Sequence, residues 1–420
     1  MPFHFNKVNF MDNRIQHKDL TNLKKKDQPI IIFKVVREAE AILNACREMG
    51  IVVTAFCDYE KRNTEKNFCG LEVIHTPDLP GRFKKARIII SSQYVSDSID
   101  QLSELGYSEF YSPLKLLENY DVNKYKHQIS NSYMKTQITS CTNAHKAYLD
   151  GNKIFMRSLD VMITTKCSMK CESCSNLMQY YKDPQNSDFQ KILNEVNVIT
   201  DQVDEISEFR VIGGEPMMNK EWAKICYGLI KDNPERKVYV WTNGTVGPKE
   251  EQLELLKGKD INFVITDYGQ FSRNIENLKE KLTKYNLAYV ATEVRNWVDC
   301  SSMRKHERTA QELQEVYKQC CAKYLYTLLD GKLFSCPFIA NAAKLKAISD
   351  NPANYVDLYS DVEIIKKRIK RLVGGVKFLP GCDFCDGRPY DATSAKGYDG
   401  KGMIPAAIQT SEVLPYKTYK

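Results

Sequence analysis

The sequence predicts an α/β protein in which a doubly wound N-terminal domain precedes a partial parallel β/α barrel and a small C-terminal α+β domain. Two observations lead to this fold class. Apolar, strand-like runs alternate with amphipathic helical runs over residues 29–121 and again over 158–299. A hairpin turn, Asp330-Gly331, then joins two further strand-like runs after the second stretch.

The first domain is predicted over residues 29–121, after an N-terminal arm at 1–28. Its buried strands are expected at 30–33, 51–57, 71–74 and 87–90, and its amphipathic helices at 37–49 and 96–105. The strand at 30–33, the helix at 37–49 and the strand at 51–57 form a βαβ unit, and the other elements continue a doubly wound pattern. The domain resembles the small Rossmann-like modules found beside nucleotide-sugar enzymes.

A dinucleotide-binding version of this domain would need glycines between the first strand and its helix. Those positions fall on Lys34, Val36 and Ala39, and the first two place side chains where phosphate oxygens would sit. Asp58 stands near the ribose-binding position, but a helix cap explains an acid there equally well. We therefore favour a degenerate, interaction or substrate-presenting role over nucleotide binding.

The barrel follows a linker at residues 122–157 that has room for one helix. Its strands are expected at 158–164, 209–212, 238–241, 261–265 and 287–294. Helices are expected between them at 188–200, 221–231, 249–257 and 272–284. Successive β/α units of this size argue for a parallel barrel or part of one, with functional residues at the C-terminal strand ends.

Three cysteines follow the first barrel strand directly. Cys167, Cys171 and Cys174 have C-x3-C-x2-C spacing, so all three thiols can point at one metal centre. Thiolates suit zinc or iron and sulfur, but a structural zinc site needs four ligands, and no fourth Cys or His follows Cys174 nearby. An iron-sulfur cluster with one iron left open fits the triad better than zinc does.

The triad resembles the C-x3-C-x-aromatic-C motif of the radical S-adenosylmethionine (SAM) superfamily, with Ser173 in place of the aromatic residue. The resemblance implies a partial (β/α)6 TIM-like barrel and a 4Fe-4S cluster that chelates and cleaves SAM. The resulting 5'-deoxyadenosyl radical abstracts hydrogen from the substrate. The resemblance also implies an electron donor such as flavodoxin or ferredoxin, and packing of the SAM adenine by residues other than Ser173.

Motifs at later strand ends strengthen the resemblance. Gly213-Gly214-Glu215-Pro216 matches the family's GGEP, in which the glycines let the backbone approach the SAM methionine and the acid helps to hold its ammonium group. Thr242-Asn243-Gly244 is similar to the TNG of related enzymes. The residues implied to bind SAM are Gly213, Gly214, Glu215, Pro216, Thr242, Asn243 and Thr266. Asp267 is a candidate general base, although a helix cap explains it as well.

A second group of cysteines follows the barrel. It consists of Cys320, Cys321, Cys336, Cys382 and Cys385, and any complete set of four thiols could bind zinc. Beside the SAM motifs they resemble the twitch domain, a shortened SPASM extension with one auxiliary 4Fe-4S cluster. The implied ligands are Cys321, Cys336, Cys382 and Cys385, with Cys320 or Cys300 as substitutes for Cys321. The domain is predicted at 300–395, before a C-terminal tail at 396–420.

These resemblances favour oxidation, epimerisation or rearrangement of a carbohydrate-like small molecule, such as a sugar or nucleotide-sugar. In the twitch relatives that act on an aminocyclitol, the substrate radical is oxidised to a ketone and the nearby cluster accepts the electron. The N-terminal domain, in turn, resembles those of sugar enzymes. A peptide- or protein-modifying maturase is the alternative, although such enzymes often recruit a leader peptide through a winged helix. A non-catalytic iron-sulfur electron carrier would have no use for the GGEP and TNG motifs.

Composition narrows the partners and the compartment. A net charge of +7 without a basic stripe argues against nucleic acid as a partner. No run reaches the roughly 18 apolar residues of a membrane helix, and the N-terminus lacks a signal core, so we expect a cytoplasmic protein without a membrane partner. The 14 cysteines are then expected to be metal ligands or small buried residues rather than disulfides.

Overall fold

The structure is a computed structural model, and it describes residues 14–17, 19–60, 63–64, 67–127, 129–390, 392, 395 and 397–419 of the 420-residue chain. The chain divides into two compact units, residues 1–155 and 156–420. Across the described residues, every helix is either too short or too polar to span a membrane.

The first unit is a doubly wound α/β domain. Its strands are β1 (Ile15–Gln16), β2 (Ile30–Phe33), β3 (Ala55–Asp58), β4 (Val73–His75), β5 (Arg87–Ile90) and β6 (Phe110–Tyr111). Its helices are α1 (Ala39–Glu48), α2 (Leu79–Arg82), α3 (Val95–Glu104), α4 (Leu114–Leu117) and α5 (Asn131–Asp150).

The strands of this unit pair in parallel in the order β1-β6-β5-β2-β3-β4. The order reverses between β2 and β5, as expected of a doubly wound sheet. β1 comes from the segment predicted as an N-terminal arm, and it pairs with β6. Residues 1–13 and 18 of that arm lie outside the described residues.

The turn between β2 and α1 is held by Asp58. The Val35 backbone N–H donates to Asp58 Oδ2 at 2.8 Å, and Lys34 Nζ lies 3.4 Å from Asp58 Oδ1. Lys34 has a φ of 82°, in the left-handed region where a glycine is normally found. The sequence places Asp58 near the position that binds ribose in dinucleotide-binding domains. In the structure its carboxylate instead binds the turn between β2 and α1.

Helix α5 lies in the segment predicted as a linker. The Ser130 hydroxyl caps it by accepting the Tyr133 backbone N–H at 3.3 Å, and the helix ends at Gly151 with a φ of 67°. Its buried side includes polar residues; for example, Ser140 Oγ donates to Gln93 Oε1 at 2.7 Å. The structure thus makes this segment part of the first unit.

The second unit carries the predicted barrel strands. Its strands are β7 (Phe155–Met162), β8 (Glu205–Ile212), β9 (Lys237–Thr242), β10 (Ile261–Asp267), β11 (Ala288–Glu293), β12 (Asn296–Val298), β13 (Tyr326–Leu329), β14 (Lys332–Phe334), β15 (Tyr355–Asp357) and β16 (Met403–Pro405). Its helices are α6 (Phe189–Thr200), α7 (Trp222–Asp232), α8 (Glu250–Leu256), α9 (Ile275–Lys284), α10 (Ala310–Lys318), α11 (Pro337–Lys344) and α12 (Val362–Gly374).

The main sheet of this unit has the strand order β11-β10-β9-β8-β7-β13-β14-β15. Parallel ladders join β8 to β9, β9 to β10, β10 to β11, and β7 to β13. The α/β class with a parallel sheet is confirmed, and the arrangement is consistent with a partial barrel. The predicted hairpin is present as β13 and β14, but β13 also extends the barrel sheet beyond β7.

The segment predicted as a C-terminal tail also contains a strand. β16 pairs antiparallel with β12, with Trp297 opposite Ile404. Residues 396 and 420 of that segment lie outside the described residues. The boundary predicted between the barrel and the C-terminal domain, at residue 300, stays a prediction.

Candidate functional site

The cysteine loop after β7 lies against the loop after β8, and two glycines make this approach possible. The Gly214 backbone N–H donates to Thr164 O at 3.1 Å, and the Glu215 N–H donates to Lys166 O at 2.8 Å. A Cβ added to Gly213 would lie 2.5 Å from Thr164 O, and one added to Gly214 would collide with Lys166 O. Any side chain here would push the two backbones apart.

The Glu215 side chain points inward and joins the loops after β8 and β9. It is fully buried, and it accepts hydrogen bonds from the Thr242 hydroxyl at 2.9 Å, the Asn243 N–H at 2.9 Å and the Met217 N–H at 3.2 Å. Burial raises the pKa of Glu215 to about 7, although these donors lower it. Among the described residues, no Lys, Arg or His forms an ion pair with Glu215, so its charge lacks a cationic partner.

Asn243 connects the loop after β9 to the cysteine loop. Its Nδ2 lies 3.8 Å from Cys167 Sγ and 3.4 Å from Ser168 Oγ. Its Oδ1 accepts a hydrogen bond from the Thr245 hydroxyl at 2.6 Å, which fixes the orientation of the amide. Sequence reasoning missed Ser168 and Thr245, because an isolated hydroxyl residue in a loop carries no distinctive pattern.

The three loop cysteines form a low-polarity sulfur site. Burial and, to a smaller extent, a charged Cys174 nearby together raise the pKa of Cys171 to about 12. Burial and the neighbouring Cys174 thiolate likewise raise the pKa of Cys167. Three such thiols need a strong positive charge among them to ionise together, and iron supplies it. The donor set therefore fits an iron-sulfur cluster.

The positions of the cysteine side chains bear on the kind of metal group that they could hold. In the part of the chain that the structure describes, no group of three or more His, Cys, Asp or Glu side chains is placed to hold a single metal ion. The fit of the triad to a cluster rests on its donor chemistry and on its place at the end of β7.

Aromatic residues from later in the chain surround the cysteine loop. Tyr268, Phe271 and Trp297 pack against an apolar cluster that includes Cys171. The rings of Tyr268 and Trp297 meet edge to face, with centroids 5.4 Å apart. Ser173, which replaces the family's aromatic residue, is buried. These three rings are candidates for the adenine packing that Ser173 cannot supply.

The loop after β10 holds the remaining predicted residues. Thr266 contributes its carbonyl oxygen, which lies 3.4 Å from the Ser272 hydroxyl. Asp267 Oδ1 accepts the Gly269 N–H at 2.8 Å, which is the cap-like contact that the sequence offered as an alternative to catalysis. Pro216 is buried at the start of a short 3-10 turn. The general-base role of Asp267 stays a prediction.

A second group of cysteines lies in the C-terminal part of this unit. Cys336 precedes α11, and Cys382 and Cys385 lie in and just after a 3-10 turn at Pro380–Phe384. Cys320 and Cys321 follow α10, but only Cys321 is exposed. Backbone N–H groups donate to Cys320 Sγ and to Cys385 Sγ, both at 3.4 Å.

The charges of these thiols influence one another. Burial raises the pKa of Cys385, and thiolates at Cys300, Cys320 and Cys336 raise it further. Burial and, to a smaller extent, the Cys336 thiolate together raise the pKa of Cys382 to about 12. Cys300, which the sequence offered as a substitute ligand, contributes more to the shift of Cys385 than Cys320 does. The choice among Cys300, Cys320 and Cys321 as the fourth ligand stays a prediction.

A buried guanidinium faces the same thiols. Burial alone would lower the pKa of Arg388, but the thiolates of Cys300, Cys321, Cys320 and Cys385 outweigh burial and raise it. Its Nη1 atom is buried without a hydrogen-bond partner among the described residues. A buried cationic donor without a partner indicates that an anionic group belongs beside it. A 4Fe-4S cluster with four thiolate ligands carries net negative charge, so the site fits one.

The fold and the two cysteine groups describe an α/β protein with sulfur-rich candidate metal sites, one of them where parallel strands end. The sequence profile of the radical SAM superfamily matches residues 161–288, so this part of the chain is a radical SAM domain. That family uses a 4Fe-4S cluster and SAM. The superfamily, the assignment as a radical SAM enzyme and these two cofactors are confirmed as predicted, whereas an oxidoreductase-like reaction, the twitch domain and the auxiliary cluster stay predictions.

Individual relatives cover parts of the chain. A GTP 3',8-cyclase of Clostridium acetobutylicum is 27% identical over 146 residues, which are 31% of this chain and 44% of that protein. The chain thus spans less than half the length of this curated relative. The structure of BtrN in complex with AdoMet and 2-DOIA is 13% identical with a TM-score of 0.37, covering 62% of this chain and 98% of that one. Streptococcus suis SuiB bound to its precursor peptide SuiA is 14% identical with a TM-score of 0.33, covering 68% and 81%.

Proposed function

We propose that this chain cleaves SAM reductively and uses the product to abstract hydrogen from a carbohydrate-like substrate. The observation that carries the proposal is the meeting of the cysteine loop, the two glycines and the Glu215–Thr242 contact at the ends of β7, β8 and β9. When bound by Cys167, Cys171 and Cys174, the cluster supplies the electron that cleaves the sulfonium of SAM.

The chain's own residues bind and orient SAM in this proposal. Gly213 and Gly214 keep the cradle free of side chains, and Asn243 fixes the cysteine loop from the other side. Glu215 holds the loops after β8 and β9 in register, and its unmatched charge favours an ammonium group nearby. Tyr268 and Trp297 provide apolar surface that excludes water and packs the adenine.

The second cysteine group is proposed to hold one auxiliary 4Fe-4S cluster. Cys336, Cys382 and Cys385 are retained from the sequence prediction, with Cys320 as the fourth ligand. The N–H groups that point at Cys320 and Cys385 support this choice, because such donors stabilise cluster sulfurs. Arg388 would offset part of the negative charge.

A carbohydrate-like substrate remains the favoured class, with oxidation, epimerisation or rearrangement as the outcome. An all-cysteine auxiliary cluster can accept an electron from a substrate radical without binding the substrate. The first unit is a doubly wound sheet rather than a winged helix, which supports a small molecule over a leader peptide. A reductant such as flavodoxin or ferredoxin would supply the initiating electron.

Peptide modification is the second candidate, and a non-catalytic electron carrier is the third. The GGEP and TNG loops argue against the carrier, because a protein that only transfers electrons has no need of a SAM cradle. The two enzymatic candidates differ only in substrate, so substrate-dependent cleavage separates them.

The experiment uses anaerobically purified, reconstituted protein with dithionite and SAM. We expect 5'-deoxyadenosine and methionine to form, and their yield to rise with one class from a panel of sugars, nucleotide-sugars and peptides. A response to peptides alone would move the assignment to the second candidate. SAM left intact under all conditions would contradict the proposal.

Two cysteine variants make a matched pair for this experiment. Cys171→Ala removes a proposed cluster ligand and should abolish cleavage. Cys226→Ala changes another buried cysteine, in α7, that belongs to neither group, and this variant should cleave SAM like the unmodified protein. Equal activity in both variants would exclude the triad as the cluster site.

A further inference from the structure

A segment near the C-terminal end of the chain lies directly on the cysteine loop. We call residues 403–411 the strap. Its first part is β16, and beyond it the Ala406 N–H donates to Arg295 O at 2.8 Å. Sequence reasoning treated this segment as a tail, because it has no sustained helical or strand periodicity.

The strap then pairs with the cysteine loop itself. The Glu172 N–H donates to Ile408 O at 2.8 Å, and the Thr410 N–H donates to Lys170 O at 2.9 Å. These two bonds flank an antiparallel bridge between Cys171 and Gln409. The strap is therefore held by the backbone on both sides of the cysteine it covers.

The Gln409 side chain has a defined orientation. Its Oε1 accepts the Lys170 backbone N–H at 2.8 Å, and only an oxygen can do so. The other atom, Nε2, must then be the amide nitrogen, and it donates to Ala407 O at 2.7 Å and to Cys171 Sγ at 3.4 Å. The N–H···S contact thus follows from the surrounding hydrogen bonds.

The strap also removes Cys171 from solvent. Ala407 has no exposed surface and packs in one apolar cluster with Met169 and Cys171, and Cys171 is only 7% exposed. Gln409 itself keeps an exposed outer side, so changing it does not open the core. Hydrogen bonds to cluster sulfurs and solvent exposure both set the reduction potential of a cluster.

We propose that Gln409 is a positioning residue for the SAM-binding cluster: it donates an N–H to Cys171 Sγ, which raises the reduction potential of the cluster and slows its loss of iron. This inference rests on the proposed function, since it requires a cluster at the triad. It adds a residue from outside the radical SAM domain to the cluster's surroundings, because the domain match ends at residue 288.

The test measures potential and iron retention rather than turnover. Gln409→Glu keeps the acceptor for Lys170 but removes the donor to Cys171, and Gln409→Met removes the donor without adding charge. Reconstituted proteins are titrated electrochemically with detection by electron paramagnetic resonance, and the SAM-binding cluster is identified by the change in its spectrum when SAM is added. Iron loss to an excess of chelator is timed in parallel.

We expect both variants to shift the cluster to a more negative potential, with the larger shift in Gln409→Glu, and to lose iron about tenfold faster. Gln190→Glu, on the exposed surface of α6, is the matched control and should do neither. A shift in Gln409→Glu alone would assign the effect to charge and overturn the inference. Full cluster content with unchanged potential and iron loss in both variants would also overturn it, while leaving the proposed function intact. A reconstituted unmodified protein without a cluster at the triad would instead refute the proposed function.

Discussion

The Thr242 hydroxyl lies 2.9 Å from Glu215 Oε1 and 3.0 Å from Glu215 Oε2, so one buried contact joins the loops that follow two neighbouring strands. The same carboxylate receives the Asn243 N–H, and Asn243 in turn contacts Cys167. The Glu215 carboxylate therefore acts on the cysteine loop through Asn243, in addition to the direct hydrogen bond from the Glu215 backbone N–H to Lys166 O.

Removing this acid should destabilise the site. Glu215→Ala leaves the Thr242 hydroxyl and the Asn243 N–H buried without an acceptor, which should lower the free energy of unfolding by about 2–4 kcal/mol and weaken SAM binding. Glu215→Gln retains one acceptor oxygen and should cost less. Urea denaturation and calorimetric titration with SAM measure the two effects. Glu254→Ala, on the exposed surface of α8, should change neither, and an equal loss in that control would refute the explanation.

The glycine cradle makes a steric prediction. In Gly214→Ala, the new methyl group collides with Lys166 O, a backbone atom that can move only with the cysteine loop, so we expect about 1–3 kcal/mol of destabilisation and reduced iron content. Gly81→Ala makes the same substitution in α2, where no atom lies within 4 Å of the new Cβ. Iron analysis and thermal unfolding of both proteins measure the difference. Normal iron content in Gly214→Ala would show that the close approach is not required.

The adjacent cysteines Cys320 and Cys321 are expected to differ. If Cys320 is the auxiliary ligand, Cys320→Ala should lose about four iron atoms per chain and keep the SAM-binding cluster. Cys321 is exposed, and Cys321→Ala should keep full iron content. Iron and sulfide analysis after identical reconstitution compares them. The opposite pattern would restore the choice made from the sequence.

His145 should make the first unit sensitive to acid. Burial lowers its pKa from the ordinary 6.5 to about 3, although backbone hydrogen bonds raise it. Below about pH 6.5 the imidazole of His145 therefore binds a proton in the unfolded chain but stays neutral in the folded unit. The free energy of unfolding is unaffected by this group above that pH, and it falls as the pH decreases from about 6.5 toward 3. Between pH 7.5 and pH 5 the loss should reach about 2 kcal/mol. Urea denaturation at both values checks it, and His145→Gln should lose correspondingly less.

Much of the fold could be predicted from local pattern. The strands Ile30–Phe33 and Ile261–Asp267 are both predicted from short, mainly apolar runs. In the structure the first is buried at every position, and the second alternates between buried and half-buried residues along most of its length. Because the C-terminal ends of parallel strands meet at one edge, the cysteine, GGEP and TNG motifs could be expected to lie together before any contact was known. The Gly214–Lys166 approach and the Thr242–Glu215 contact agree with that expectation.

The remainder depends on contacts without a local signal. Helix α5 buries Gln137, Ser140 and His145, so its buried side looks polar and the segment resembles a linker. The strap is short, and it pairs with the cysteine loop more than 200 positions earlier in the chain. The sequence of residues 403–411 therefore contains no pattern from which this pairing could be predicted. The ring pair Tyr268–Trp297 likewise forms only when two separate loops meet.

The parallel pairing of β13 with β7 has a consequence for how the chain folds. Tyr326 pairs with Leu159 and Leu328 pairs with Val161, so the strand that leads into the cysteine loop acquires one of its neighbours only after a long intervening stretch has been synthesised. Until then that side of β7 is an unpaired edge of apolar residues, which is prone to intermolecular association. Chains that stop short of residue 326 should therefore aggregate rather than yield an isolated working barrel, and closure of this pair should be a slow step in refolding because the contact is so distant along the chain.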